Sequence, residues 1–381
     1  MNAKKGLCPQ LRFKGFTDPW EERKLGEIAK MYQPVTLTGS KLLSQGYPVF
    51  GANGYIGFYS KANHIDDQVT ISARGEGTGT PNYVKGPVWI TGNSMVINID
   101  NSVIDVDKMF LFNNLASHSL KKYVTGGAQP QLTRENLKNI PIVLSHYSEQ
   151  QKIGAFFQKI DELITLQQRK VEKLKEQKKG YLQKLFPKNG SKFPQLRFPG
   201  FADAWEQRKL GEVATFLNGR AYKQDELLDS GKYKVLRVGN FYTNDSWYYS
   251  NMELGDKYYV DKGDLVYTWS ATFGPHIWSG EKVIYHYHIW KVELSKFLDR
   301  NFTLQLLEAD KARLLSSTNG STMIHVTKGD MESKIVSIPN IDEQEQIGSF
   351  FKQFDNTITL HQRKLEKLQE LRKGYLQKMF C

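Results

Sequence analysis

PQLRFPGFADAWEQRKLGEVA, residues 194–214, decides how this chain is organised, because PQLRFKGFTDPWEERKLGEIA already occupies residues 9–29. The two stretches share 16 identities in 21 positions at an offset of 185. A second match runs at an offset of 194: QKIGAFFQKIDELITLQQRKVEKLKEQKKGYLQKLF from Gln151 returns as EQIGSFFKQFDNTITLHQRKLEKLQELRKGYLQKMF from Glu345, with 22 identities over the last 34 positions. Each half therefore has a like opening, a like ending and an unlike middle. Two copies are too few for a solenoid, so this is a duplicated domain plus segment. Similar frames around dissimilar inserts suggest one job done twice on different targets.

The endings read as long helices. Stepping three then four residues selects Phe157, Ile160, Ile164, Gln167, Val171, Leu174, Lys178, Tyr181 and Leu185, and in the second copy Phe351, Phe354, Ile358, His361, Leu365, Leu368, Arg372, Tyr375 and Met379. Seven of nine are apolar in each, which is the spacing of a coiled-coil seam rather than the broader stripe of a helix packed on its own domain. A helix of roughly 33 residues is about 50 Å long, some 15 base pairs of B-DNA. A pseudo-two-fold relation between the halves reverses one helix against the other, so the expected fold is α+β: two β-rich mixed domains separated by an antiparallel coiled coil of two long helices, with Gln167 and His361 meeting near its middle. By chain order the boundaries fall at 1–149, 150–186, a linker at 187–193, 194–342 and 343–381.

Composition limits the classes. The 381 residues, 40% of them hydrophobic, suit two globular domains. Cys8 and Cys381 are too few for a disulfide framework, no apolar run is long enough for a membrane span, and the opening lacks a signal-peptide core. A soluble cytoplasmic protein is expected. The formal charge is +12, and residues 150–192 and 345–381 hold +10 of it, so the two middles are almost neutral. A polyanionic partner fits this balance.

Both middles read as short strands, turns and a helix. DDQVTISARGEGTGTPNYVKGPVWITGNSMVINI suggests three strands and DKMFLFNNLASHSLKKY a helix; GDLVYTWSATFGPHIWSGEKVIYHYHIWKVEL and FLDRNFTLQLLEADKARLLSS are the counterparts. SARGEGTGTP and WSATFGP then hold the same hairpin position with different chemistry. The first offers Arg74, Glu76 and Thr78, the second Trp269, Ser270, Thr272 and Phe273. Arginine suits guanine, a carboxylate suits cytosine, and hydroxyls suit several bases. A second loop pair, GGAQPQLT and GSTMIHVT, contributes Gly126, Gly127, Gln129 and Gln131, and Ser321 with Asn319 just before the second loop. Its glycines let backbone amides approach phosphate, and its glutamines suit adenine. FLNGRAYKQ adds Arg220, Tyr222 and Lys223. These are the candidate DNA-binding residues, and the seam candidates are Ile160, Ile164, Gln167, Val171, Leu174, Phe354, Ile358, His361, Leu365 and Leu368.

No catalytic residue is expected. GEGTGT misplaces the third glycine of a nucleotide loop and leads into a strand at Pro81. His276, His286 and His288 make a metal conceivable, but no carboxylate or cysteine stands with them. Glu332-Ser333-Lys334 lacks the partner carboxylate of a nuclease, and no run of the kind used to grip a flipped base by amino-methyltransferases is present. A self-sufficient nuclease or methyltransferase and a non-DNA coiled-coil scaffold are the competing classes.

The duplicated frame, the Glu149-Gln150 and Glu343-Gln344 pairs opening EQxxIGxFF-like helices, the AQPQLT loop and the GYLQK endings resemble the specificity subunits of type I restriction-modification enzymes. The resemblance spans essentially the whole chain, with MIHVT departing from AQPQLT in the second half. It implies two target recognition domains, each reading half of a split double-stranded DNA target. It also implies partners: two methyltransferase subunits and restriction subunits. Cofactors belong to them on this reading, namely S-adenosylmethionine, ATP and Mg, with none in this chain.

Overall fold

The computed structural model describes residues 9–380 except 53, 76, 101, 128, 189, 243, 271 and 318–325. It divides into two compact units, one built on residues through Arg169 plus those from Gln362 onward, the other on Lys170–His361. The units cut across the boundaries drawn from chain order, because each takes part of both long helices.

In the first unit, an antiparallel four-stranded sheet runs in the order Lys30–Tyr32, Ser94–Asn98, Gln68–Ser72, Pro81–Val84. A three-stranded sheet is ordered Gly54–Tyr59, Tyr47–Gly51, Trp89–Ile90, an antiparallel hairpin closed by a parallel pair. The stretch expected to give three strands thus gives four, because Trp89–Ile90 leaves the main sheet to pair with Val49 and Phe50. The second unit repeats this plan. Its four-stranded sheet runs Ala214–Asn218, Ile289–Leu294, Leu265–Thr268, Gly274–Ile277, and its smaller sheet runs Tyr248–Ser250, Tyr233–Leu236, Val283–Tyr285, with Tyr259–Val260 added. Even isolated bridges recur: Leu43 pairs with Phe58 and Leu228 with Tyr249. The unlike middles are one fold written in two sequences.

The repeated opening strands, Glu21–Lys24 and Glu206–Lys209, pair with Pro141–Leu144 and Ile335–Ile338, the strands just before the long helices. Both middles are thereby tied off at their ends. Their main helices, Lys108–Ser117 and Arg300–Ser317, pack on the sheets; the first is shorter than its sequence pattern suggests and passes into a 3-10 turn at Leu120–Tyr123.

The Glu-Gln pairs explain the frame. Glu149 is fully buried and accepts two bonds from the Arg12 guanidinium, at 2.9 and 2.7 Å; Glu343 does the same for Arg197, at 2.7 Å twice. Gln150 accepts from the backbone N–H of Asp107 and Gln344 from that of Asp299, and each aspartate caps its own helix through the N–H of Phe110 or Phe302 at 2.8 Å. Gly154 and Gly348 follow from this close approach: a Cβ there would stand 2.4 Å from the Asp107 carboxylate or 2.8 Å from that of Asp299. The opening, the middle and the long helix of each repeat are thus locked at one point.

The long helices run Tyr147–Leu185 and Ile341–Met379, each 39 residues and starting two to three residues before the boundaries drawn at 150 and 343. Within each unit they pair antiparallel. In the first, Phe156 meets Tyr375 with ring centroids 5.0 Å apart and Asp161 meets Arg372; in the second, Tyr181 meets Phe350 at 5.1 Å and Lys178 bonds Asp355 at 2.6 Å. Lys178 and Arg372, charged exceptions in the seam, are therefore ion-paired to matching aspartates. Gln167, Val171 and Ile358 are buried, and Ile160, Ile164, Leu174, Phe354, His361, Leu365 and Leu368 are half-buried. The helix ends complete the cores: Phe380 joins Trp20, Phe110 and Phe157, while Phe186 joins Trp205, Phe302 and Phe351. Among the described residues no helix is long and apolar enough to cross a membrane.

Candidate nucleic-acid interface

In the first unit the two candidate loops form one surface. The carbonyl of Ala73 accepts from the N–H of Leu132 at 3.0 Å, and Arg74 and Thr125 both bridge to Gln131 in antiparallel fashion. Gly126 turns this strip with φ +85, and a Cβ there would meet the Gln129 carbonyl at 2.5 Å, so glycine is needed for the turn. Arg74, Gly126, Gly127, Gln129 and Gln131 are exposed. Thr78 is not: it is 8% exposed and its hydroxyl donates to the carbonyls of Gly75 and Pro130, at 2.6 and 3.2 Å. It fastens one loop to the other, which corrects its reading as a base contact. Glu76 lies outside the described residues.

Beside this strip opens a groove of about 400 Å³, to which Gln33 and Arg134 contribute along with Arg74 and Gln131. Gln33 and Arg134 were not singled out from the sequence. Gln33 stands just after a strand and Arg134 at a helix start, and only the fold brings them to the same groove.

The second unit presents aromatic rings instead. The Trp269 indole N–H donates to the Tyr287 carbonyl at 2.9 Å, and its ring lies 4.9 Å from His288 and 5.9 Å from Tyr287. Tyr242, absent from the sequence candidates, bonds His276 at 3.1 Å, and Phe241 stacks on the same imidazole at 4.3 Å. Ser270 is half-buried and Thr272 exposed, the Thr272 carbonyl accepting from the Thr268 hydroxyl at 2.9 Å. Phe273 is 7% exposed and belongs to the core. Its hydrophobic ring is drawn inward where the loop turns back into the strand, which corrects its reading as a DNA contact.

Arg220 is also committed internally. It holds Glu226 in a two-pronged pair at 3.2 and 2.7 Å and lies over the Tyr222 ring at 5.3 Å. Tyr222 has a buried hydroxyl with no hydrogen-bond partner, and its burial raises its pKa. These two brace the loop, and of the three candidates there only Lys223 stands fully exposed. Asn319 and Ser321 lie outside the described residues.

His276, His286 and His288 take part in ring packing, and burial lowers the pKa of all three. Burial, with the Lys311 ammonium as a lesser cause, pushes His276 down to about 4; burial, with His288 and Arg237, does the same to His286. In an unfolded chain both would titrate near 6.5. As pH falls the unfolded state takes up these protons first, so their contribution to stability is whole above about 6.5 and is lost between 6.5 and 4. Urea titrations of the second unit over this window are expected to show a midpoint falling with acid, at up to about 1.4 kcal/mol per pH unit for each histidine. The double variant His276→Phe/His286→Phe should flatten that slope, and a slope unchanged by it would exclude these two groups as its source.

Comparison with known proteins adds the following. The family profile described as type I restriction modification DNA specificity domain matches twice, at residues 17–176 and 202–370. The MjaVIII type I restriction enzyme specificity subunit of Methanocaldococcus jannaschii is 22% identical, over 93% of this chain and 91% of that one. The MjaX subunit of the same organism, described as a putative type I restriction enzyme specificity subunit, is 23% identical over 70% of this chain. A crystal structure of a type I restriction-modification system S subunit from M. genitalium shares the fold, with a TM-score of 0.70 at 16% identity, covering 98% of this chain and 99% of that one.

Proposed function

The chain belongs to the type I restriction modification DNA specificity family over both of its repeats, and from that we propose that each unit reads one half of a split double-stranded DNA target on behalf of subunits that carry the chemistry. The protein is the sequence-recognition subunit of a type I restriction-modification system. Its proposed partners are two methyltransferase subunits, which bring S-adenosylmethionine, and restriction subunits, which bring ATP and Mg. Its own role on this reading is non-catalytic.

The observation that carries this is the contrast between one repeated topology and two different exposed chemistries. Two units that share the strand order, the Glu-Gln lock and even the Leu43 and Leu228 bridges, yet carry Arg74 after the central strand of one sheet and Trp269 after the corresponding strand of the other, are what a pair of readers with separate targets requires. The near-neutral middles fit a complex in which other subunits supply many of the phosphate contacts, since phosphate contacts hold DNA while base contacts choose it. The relative that matches over 93% of this chain is named a specificity subunit, which supports the same assignment.

The test is an exchange. In the complex with methyltransferase subunits, replacing residues 30–149 by the corresponding middle of another family member is expected to change one half of the methylated motif and leave the other intact. A motif altered in both halves, or left unaltered, would show that the two units do not read separately.

A further inference from the structure

We propose that the half-site read by the first unit contains a guanine and an adenine within two base pairs of one another, taken by Arg74 and Gln131 respectively; this deepens the reading above and rests on it. The ground is the row of antiparallel bridges in which Arg74 faces Gln131 and Gln131 faces Thr125. Residues opposed across an antiparallel pair project from the same face with Cβ atoms about 5 Å apart. The two side chains therefore leave the protein side by side. Both are exposed, and neither has a side-chain hydrogen bond among the described residues.

Their chemistry then sets the bases. A guanidinium gives two parallel donors that match O6 and N7 of guanine, and a carboxamide gives one donor and one acceptor that match N7 and N6 of adenine. Successive bases along a strand rise about 3.4 Å, so a pair of anchor points about 5 Å apart, carried on long side chains, serves neighbouring or next-neighbouring base pairs. The mounting is stiff where it needs to be. Thr78 fastens the loop carrying Arg74 to the Pro130 carbonyl, next to Gln131, and Gly126 closes the turn that returns to it. Hydrogen bonds that must meet two atoms at once discriminate only when their anchor is held.

The wild-type motif itself is the first measurement. Mapping methylated sites made by the full complex should show a guanine and an adenine within two base pairs in one half-site, and a half-site lacking that pair overturns the proposal. In the same complex, Arg74→Ala should relax discrimination at the guanine alone, by roughly 5- to 150-fold, and Gln131→Ala at the adenine alone. The other half-site, kept at full stringency, shows that each variant is folded. A uniform loss across all sequences would mean a phosphate contact and overturns the assignment. A wild-type complex with no split motif at all overturns the parent reading and this one with it.

Discussion

Glu149→Ala is expected to cost the first unit about 3–5 kcal/mol, the effect of stranding one member of a buried ion pair. Glu149 is 0% exposed and the Arg12 side chain only 14%, so the guanidinium left behind would have little water to replace its partner. Glu343→Ala should do the same to the second unit through Arg197, but by less. Glu149 also accepts from the Trp20 indole N–H at 3.1 Å, whereas the Trp205 indole N–H has no partner, a difference of one hydrogen bond worth about 1 kcal/mol. Hydrogen exchange on the central strands Gln68–Ser72 and Leu265–Thr268 separates the two units. Protection should fall on the first strand alone for Glu149→Ala and on the second alone for Glu343→Ala. The double change Arg12→Met/Glu149→Leu should recover much of the loss, because an apolar pair of similar volume removes both charges together. Full protection in Glu149→Ala would show that the lock is ornamental.

Phe380→Ala should be nearly as damaging. Here the ring is 6% exposed and packs on Phe110 at 5.3 Å, Phe157 at 6.0 Å and Trp20 at 6.1 Å, so its removal opens a cavity in the first unit worth about 3–5 kcal/mol. The end of the second long helix is further tied to the beginning of the chain by the Leu11 N–H, which donates to the Lys378 carbonyl at 2.9 Å; Leu196 and Lys184 make the same bond at 2.9 Å in the other unit. Thermal unfolding of the Phe380→Ala variant tests this. A melting transition for the first unit within a degree of the unsubstituted protein would mean that Phe380 is dispensable.

Much of this fold was legible in advance, and the reasons are local. The duplicated opening and ending are visible as identities, and the seam is visible because a helix repeats itself every few residues whatever surrounds it. The charged seam residues Lys178 and Arg372 were visible as exceptions. Their partners Asp355 and Asp161 were not, since these lie 177 and 211 residues away along the chain. The common topology of the middles escaped the sequence because strands of two to six residues are specified by burial on a face, which many residue sets satisfy equally well. Trp89–Ile90 shows the limit: two residues cannot declare which sheet they will join.

The candidate interface divides in the same way. Loop positions were readable, because glycine-rich turns between strands announce themselves; side-chain roles were not. Thr78, Phe273 and Arg220 have the residue types expected at a DNA surface, yet one fastens two loops, one fills the core and one is held by Glu226. By itself the sequence determined the duplication, the paired long helices and the membership of the family, all of which follow from identity and short-range periodicity. Only the tertiary structure decided that both middles share one strand order, that each core borrows its last ring from the end of the other repeat's helix, and which of the loop residues still face outward. Those depend on what a residue is packed against, and its neighbours in space stand dozens to hundreds of positions away in the chain.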